Sequence, residues 1–218
     1  MEVDATANAI ANETATRAGL LYLGSILTQS EADEWLHWLL HEVAWGNAFY
    51  EAFGRRFPIP RQQAWFADAG IRYRYSDNLL TTLPWPERLN RLRQRVESLT
   101  GQRFNSVLAT LYRSGEDSVG WHADDESELG PAPVIASLSV GATRAFCLRP
   151  KITPGHQHTH EPQPEIAVPV HSGDLWLMQP PCQQHWEHAV PAETGIHQPR
   201  VNLTFRWVIP PASRCSVP

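Results

Sequence analysis

From residue 104 onward the chain is cut into short runs, at 104–112, 134–140, 143–149, 165–170, 174–178, 186–190 and 200–209, each bounded by Gly, Pro or Asp clusters. Such runs are too short for ordinary helices, and several alternate apolar and polar residues with the period of two that a half-buried strand requires. About eight short strands in succession must cover their apolar faces and edges by stacking or closing, which points to a sandwich or barrel. Ahead of them, Thr28-Gln29-Ser30-Glu31 has the capping-box pattern, and Trp35, Leu36, Leu39, Leu40 and Val43 recur at helical spacing. A helix is therefore expected over about 29–44, and a second over about 86–100, between Pro84-x-Pro86 and Gly101. Residues 45–83 mix aromatic and Arg residues, with turn signals at Gly54, Pro58, Pro60 and Gly70 and a strand-like alternation over Ile71–Tyr75. Residues 1–18 read as a mobile tail and 150–164 as an exposed loop. The expected fold class is α+β in one compact domain, with helices in 19–103 and a jelly-roll core, or double-stranded β-helix, over 104–210.

Three cysteines without a CxxC pair argue against a disulfide framework or a structural zinc site. The apolar run Leu20–Leu27 is short and follows Glu2, Asp4 and Glu13, where a leader needs positive charge. No stretch approaches the roughly 18 apolar residues of a membrane span. A soluble, intracellular protein is the expectation. The formal net charge is −5, yet it is unevenly spread, because residues 55–103 hold ten Arg against four acids. A local basic face can take up phosphates even on an acidic protein, since counterions are released locally.

Trp121-His122-Ala123-Asp124 contains H-x-D. In extended backbone, residues i and i+2 point to the same side, so His122 and Asp124 can reach one ion. Trp186-Glu187-His188 offers a third ligand, and two His with one carboxylate make the facial triad of non-haem iron(II) sites. Taken alone, an H-x-D pair is commonplace in a chain with ten His. His171 and His185 are competing ligands, and His156, His158 and His160 form an H-x-H-x-H run in a Pro-rich loop that reads as surface. Further support comes from Arg200-Val201-Asn202-Leu203-Thr204-Phe205-Arg206, where the even positions are polar and the odd ones apolar. A barrel-lining strand with two Arg requires an anion, because an unpaired buried charge is costly and a guanidinium fork matches a carboxylate.

Four segments, LYRSGEDSVGWHADDESEL, VIASLSVGATRAF, HWEHAVP and RVNLTFRW, in that order and over most of residues 50–208, resemble the AlkB family of nucleic-acid dealkylating oxygenases, in particular its duplex-DNA repair members. The resemblance implies Fe(II) held by His122, Asp124 and His188. It implies 2-oxoglutarate held by Arg200 with Tyr112 and Asn202 at one end, and by Arg206 with Thr204 at the other. Thr110 stands where the family usually has Asn, which implies somewhat weaker co-substrate binding. Within 19–103 the resemblance implies a nucleotide-recognition hairpin lid. Phe53, Gly54 and Arg55 are similar to an aromatic finger that fills the gap left by a flipped base, Tyr73 and Tyr75 to pocket residues, and Asp125 and Glu126 to groups that contact the base edge. The implied reaction is oxidative demethylation of 1-methyladenine or 3-methylcytosine in DNA, consuming O₂ and 2-oxoglutarate, with ascorbate as an activator in vitro. The same chemistry on RNA, or on a protein or lipid, is the alternative. A monomer without membrane attachment, cytoplasmic or (in a eukaryote) nuclear, completes the expectation.

Overall fold

The computed structural model describes residues 13–52, 55–75, 78–79, 81–151 and 165–210. The strands are β1 (Leu20–Ser25), β2 (Gly46–Ala52), β3 (Arg55–Ala67), β4 (Arg74–Tyr75), β5 (Asn78–Leu79), β6 (Thr82–Leu83), β7 (Ser106–Tyr112), β8 (Val119–His122), β9 (Ile135–Gly141), β10 (Arg144–Pro150), β11 (Ile166–Val170), β12 (Asp174–Met178), β13 (Trp186–Val190) and β14 (Arg200–Arg206). The labelled helices are α1 (Gln29–Glu42), α2 (Glu87–Thr100) and α3 (Pro180–His185). An eight-stranded sheet runs β1-β12-β9-β14-β7-β3-β2, with β6 joining β3, and faces a four-stranded sheet, β11-β10-β13-β8. Among the described residues every pairing apart from β3–β6 is antiparallel. This is the α+β jelly roll anticipated from the strand series.

The alternation along β14 decides how the layers divide. Val201, Leu203 and Phe205 share one face with Val107, Ala109 and Leu111 of β7 and Ala136, Leu138 and Val140 of β9. Onto that face pack Trp35 and Leu39 of α1 and Leu89, Leu92 and Val96 of α2. Burying a side chain such as Leu203 contributes about 1.5–3 kcal/mol. Thr28 caps α1 by accepting from the Glu31 amide (3.3 Å), while the Thr28 amide donates to the Glu31 carboxylate (2.8 Å). Gly101 ends α2 in the left-handed region, at φ 67°, where a side chain is strained. The opposite sheet face looks inward. There Trp65, Leu108, Ile135, Trp176 and Met178 meet Leu148, Val168 and Trp186 of the smaller sheet.

Three expectations are corrected. Residues 13–17 are helical, not tail-like, and Ala15 and Ala18 are buried in the inner cluster. Pro58 and Pro60 do not turn the chain. They lie within β3, Pro58 opposite Phe49 beside a register shift. A bulged region tolerates a residue with no N–H to give to the ladder. Over Ile71–Tyr75 only Arg74 and Tyr75 are in a strand, while Ile71 and Tyr73 are buried ahead of it. Residues 1–12 of the expected tail and 152–164 of the expected loop, His156, His158 and His160 included, lie outside the described residues.

Candidate metal and co-substrate site

The inward face of the large sheet is a grid set by strand register. Arg200 lies opposite Tyr112 and, on its other side, Gly141. One step along, Ser139, Asn202, Thr110 and Gln63 form a row across β9, β14, β7 and β3. The next row is Ser137, Thr204, Leu108 and Trp65. Arg206 closes the strand. The smaller sheet supplies the other wall, with His188 of β13 directly opposite His122 of β8. Between the sheets lies a cleft lined by the triad, both β14 arginines, Thr110, Tyr112, Asn202 and Thr204, and also by Arg61 and Gln63.

Among the described residues, His122, Asp124 and His188 are the one group of His, Cys, Asp or Glu whose ligand atoms converge, all within 4.8 Å of one another. His122 Nδ1 lies 2.8 Å from the Gly120 carbonyl. A carbonyl only accepts, so Nδ1 carries the proton and Nε2, 3.9 Å from Asp124 Oδ1, presents its electron pair. Asp124 is 1% exposed. Its backbone amide donates to the buried Gln183 side chain of α3 (2.9 Å), and its Oδ2 accepts from Arg206 Nη2 (2.7 Å). Burial alone would push the Asp124 carboxyl up, but Arg206 and the two imidazoles outweigh it and hold the carboxyl down at about 2. Burial, reinforced by His122, pushes His188 down to about 3, so it is a neutral imidazole at neutral pH. Asp124 Oδ1 and His188 Nδ1 are buried without a hydrogen-bond partner. An ionised carboxylate and a neutral imidazole orphaned side by side are the donor set a divalent cation satisfies.

Arg200 is 2% exposed. Its Nη2 donates to Ser139 Oγ and Asn202 Oδ1, both at 2.8 Å, while Nε and Nη1 are buried with no hydrogen-bond acceptor. Burial pulls this guanidinium below its ordinary value, although Tyr112 offsets part of the effect. The Tyr112 ring lies between two arginines, 5.2 Å from Arg200 and 5.5 Å from Arg144. Arg144 is itself buried and pinned to Glu193 (3.0 Å) and to the carbonyls of Ser114, Asp117 and Pro191. A cation aimed into a cleft with two idle donors fits an incoming carboxylate.

A model of the 2OG-Fe(II) oxygenase superfamily matches residues 19–206. The chain belongs to this superfamily. Mouse DNA oxidative demethylase ALKBH2 is 40% identical over 185 residues, which covers 84% of this chain and 77% of that protein. Human alpha-ketoglutarate-dependent dioxygenase alkB homolog 3 is 40% identical over 181 residues, 83% of this chain and 63% of that protein. These similarities assign this oxygenase to the AlkB family. At the level of fold alone, the solved structure of OsALKBH1 superposes with a TM-score of 0.58 at 15% identity, over 86% of this chain and 97% of that one. A prolyl hydroxylase from Trichoplax adhaerens, in complex with a hypoxia inducible factor peptide fragment, gives 0.59 at 14% identity over 94% and 91%. Fe(II) and 2-oxoglutarate are thus the metal and co-substrate of this oxygenase, in keeping with the donor set between its sheets.

The substrate-side residues divide. Tyr73 is fully buried and stacks on Trp65 at 4.8 Å between ring centroids, so its ring faces are not offered to a base in this structure. Burial pushes its hydroxyl pKa upward, helped by the nearby Asp124 and Glu126 carboxylates against the opposing pull of Arg206. Glu126 is itself pushed up by burial and by Asp124. Asp125 is exposed and paired with Lys151 at 2.6 Å, outside the cleft. Arg55 and Tyr75 lie in β3 and β4. Phe53 and Gly54 lie outside the described residues. His171 and His185 are exposed and away from the triad, His171 being bonded to Thr143 at 3.0 Å. Arg61, Gln63 and Gln183 were not anticipated. For Arg61 and Gln63 there is little signal in the sequence, since Arg61, Gln62 and Gln63 are all polar and follow two prolines.

Proposed function

We propose that this oxygenase removes N-methyl groups from damaged DNA bases such as 1-methyladenine and 3-methylcytosine. The observation that carries the reading is the pairing, in one water-poor cleft, of the orphaned Asp124–His188 ligand atoms with the idle Arg200 donors, in a chain 40% identical to proteins named DNA oxidative demethylases. His122, Asp124 and His188 would hold Fe(II). Arg200 would bind the far carboxylate of 2-oxoglutarate, oriented by Asn202 and Ser139 and flanked by Tyr112 and Thr110. Arg206, with Thr204 beside it, would face the carboxylate next to the keto group.

Bound Fe(II) supplies the means of activating O₂ at the expense of 2-oxoglutarate. Overall, one O₂ and one 2-oxoglutarate give succinate and CO₂, and the second oxygen atom enters the N–CH₃ group as N–CH₂OH. That hemiaminal then breaks its C–N bond: the bonding pair returns to the ring nitrogen, the hydroxyl gives up its proton to water, and formaldehyde leaves. The residues of the chain bind, orient and exclude water. Arg206 keeps Asp124 ionised, Gln183 fixes the backbone of Asp124, and the apolar wall of Leu108, Met178 and Val190 keeps the reacting end dry. Glu126, two residues after the ligand Asp124, would be the acid available to a cationic methylated base.

The decisive assay is formaldehyde release from a 3-methylcytosine oligonucleotide, single- and double-stranded, with Fe(II), 2-oxoglutarate, O₂ and ascorbate. Release that requires 2-oxoglutarate is expected. Succinate without formaldehyde would keep the oxygenase and overturn the substrate, and methylated RNA would then be the next arm. The reading takes the protein as a monomer without membrane attachment, and sedimentation with and without DNA tests this. No helix among the described residues is long and apolar enough to cross a membrane.

A further inference from the structure

We infer that the outer face of α1 carries a second metal site, for a divalent transition ion, with His37 and His41 as its protein ligands. The two residues are four apart on one helix, the spacing that places side chains one above the other. Their rings lie 4.2 Å apart between centroids at 32°, close enough for one ion to bridge a nitrogen from each. His41 Nδ1 is 2.7 Å from the His37 backbone carbonyl. The carbonyl must accept, so Nδ1 is protonated and Nε2 carries the electron pair. This is the arrangement in which a ligating imidazole is held by a hydrogen bond from its other nitrogen.

The surroundings favour a cation. Both imidazoles open onto a surface cleft lined by Asp33, Glu34 and Glu42, with Arg88 as its one basic residue among those lining it. Arg88 is itself engaged, lying over the Trp35 ring at 4.5 Å with Glu34 at 4.0 Å. Imidazole suits Zn²⁺, Ni²⁺ and Cu²⁺, and the exposed positions leave room for water to complete the coordination. The site is independent of the triad. α1 packs on the outer face of the large sheet, whereas His122, Asp124 and His188 lie between the sheets. Nothing in the oxygenase reaction uses His37 or His41.

Equilibrium dialysis of the full chain against Ni²⁺ alone tests the site. The double variant His37→Asn/His41→Asn should bind one equivalent fewer than wild type while keeping its Fe(II)-dependent consumption of 2-oxoglutarate. A triple replacement of His156, His158 and His160 should leave that equivalent in place, and unchanged thermal melting of the metal-free double variant confirms that α1 still folds. An unchanged Ni²⁺ stoichiometry in the double variant, or loss of the equivalent only in the triple one, would overturn the proposal.

Discussion

Two groups of arginine in this molecule look alike in sequence and are opposite in use. Those of α2 are exposed or half-buried and each is paired with an acid: Arg88 with Glu34, Arg91 with Glu87, and Arg95 with Glu31, while Arg93, which keeps a buried Nε without an acceptor, pairs with Asp68 at 2.8 Å. The two of β14 are buried. Arg206 is bonded to a carboxylate that also belongs to the triad, and Arg200 has donors still to be used. The basic excess of residues 55–103 therefore says somewhat less about DNA than the raw charge suggests, because the fold brings two further acids, Glu31 and Glu34, onto its arginines. Chemistry follows from cations that are desolvated and incompletely satisfied.

That contrast can be broken most severely at Asp124. Asp124→Asn should reduce 2-oxoglutarate turnover to background, and Asp124→Ala should in addition lower stability by about 3–5 kcal/mol, since Arg206 then stays buried without its carboxylate. Turnover assays and urea unfolding of the two variants separate these effects. Arg200→Lys should raise the KM for 2-oxoglutarate by roughly 10- to 100-fold, the range expected when hydrogen bonds worth about 1.5–3 kcal/mol to a charged group are lost. A change confined to kcat would contradict the assigned role.

Acidification should sharpen the comparison next. His188 is depressed from 6.5 to about 3, so the unfolded chain takes up its proton first. Stability of the metal-free protein should fall as pH drops below 6.5 and keep falling toward 3. Asp124, depressed from 3.8 to about 2, adds a second loss only below its ordinary range, as pH falls through the folded value. A metal ion that binds the folded state should oppose the first loss, and acid titration with and without Fe(II) under anaerobic conditions measures it. The smallest effect belongs to the surface group. Arg91→Gln should change stability by less than about 1 kcal/mol and leave DNA affinity nearly unaltered, because an exposed, paired side chain contributes little. A marked drop in affinity measured at low salt would return α2 to the substrate surface.

Much of the site was legible because its signals are short-range. The alternation in 200–206 told which side of β14 lines the cleft, and H-x-D told which two ligands are adjacent. What escaped depends on contacts between distant segments. Pro58 and Pro60 read as turns because their lack of an amide is a local fact, whereas the register shift that accommodates them requires β2. Arg61 and Gln63 became cleft residues only once β3 had paired with β7. Tyr73 resembled an open stacking platform, but Trp65, eight positions earlier, occupies its ring. Residues 13–18 looked polar and small. Two of their alanines fit a tight internal contact that composition does not reveal.

The cross-strand row of Ser139, Asn202, Thr110 and Gln63 has a practical corollary for anyone wishing to retune this enzyme. All four project inward, while their immediate neighbours Leu138, Leu203, Ala109 and Ala64 hold the helices on the reverse side. A combinatorial library restricted to those four codons would vary the polar surroundings of the Arg200 guanidinium and leave the scaffold's adhesive surface untouched. The pleat thus separates what can be changed for a new co-substrate from what must be kept for solubility, and it does so one residue at a time.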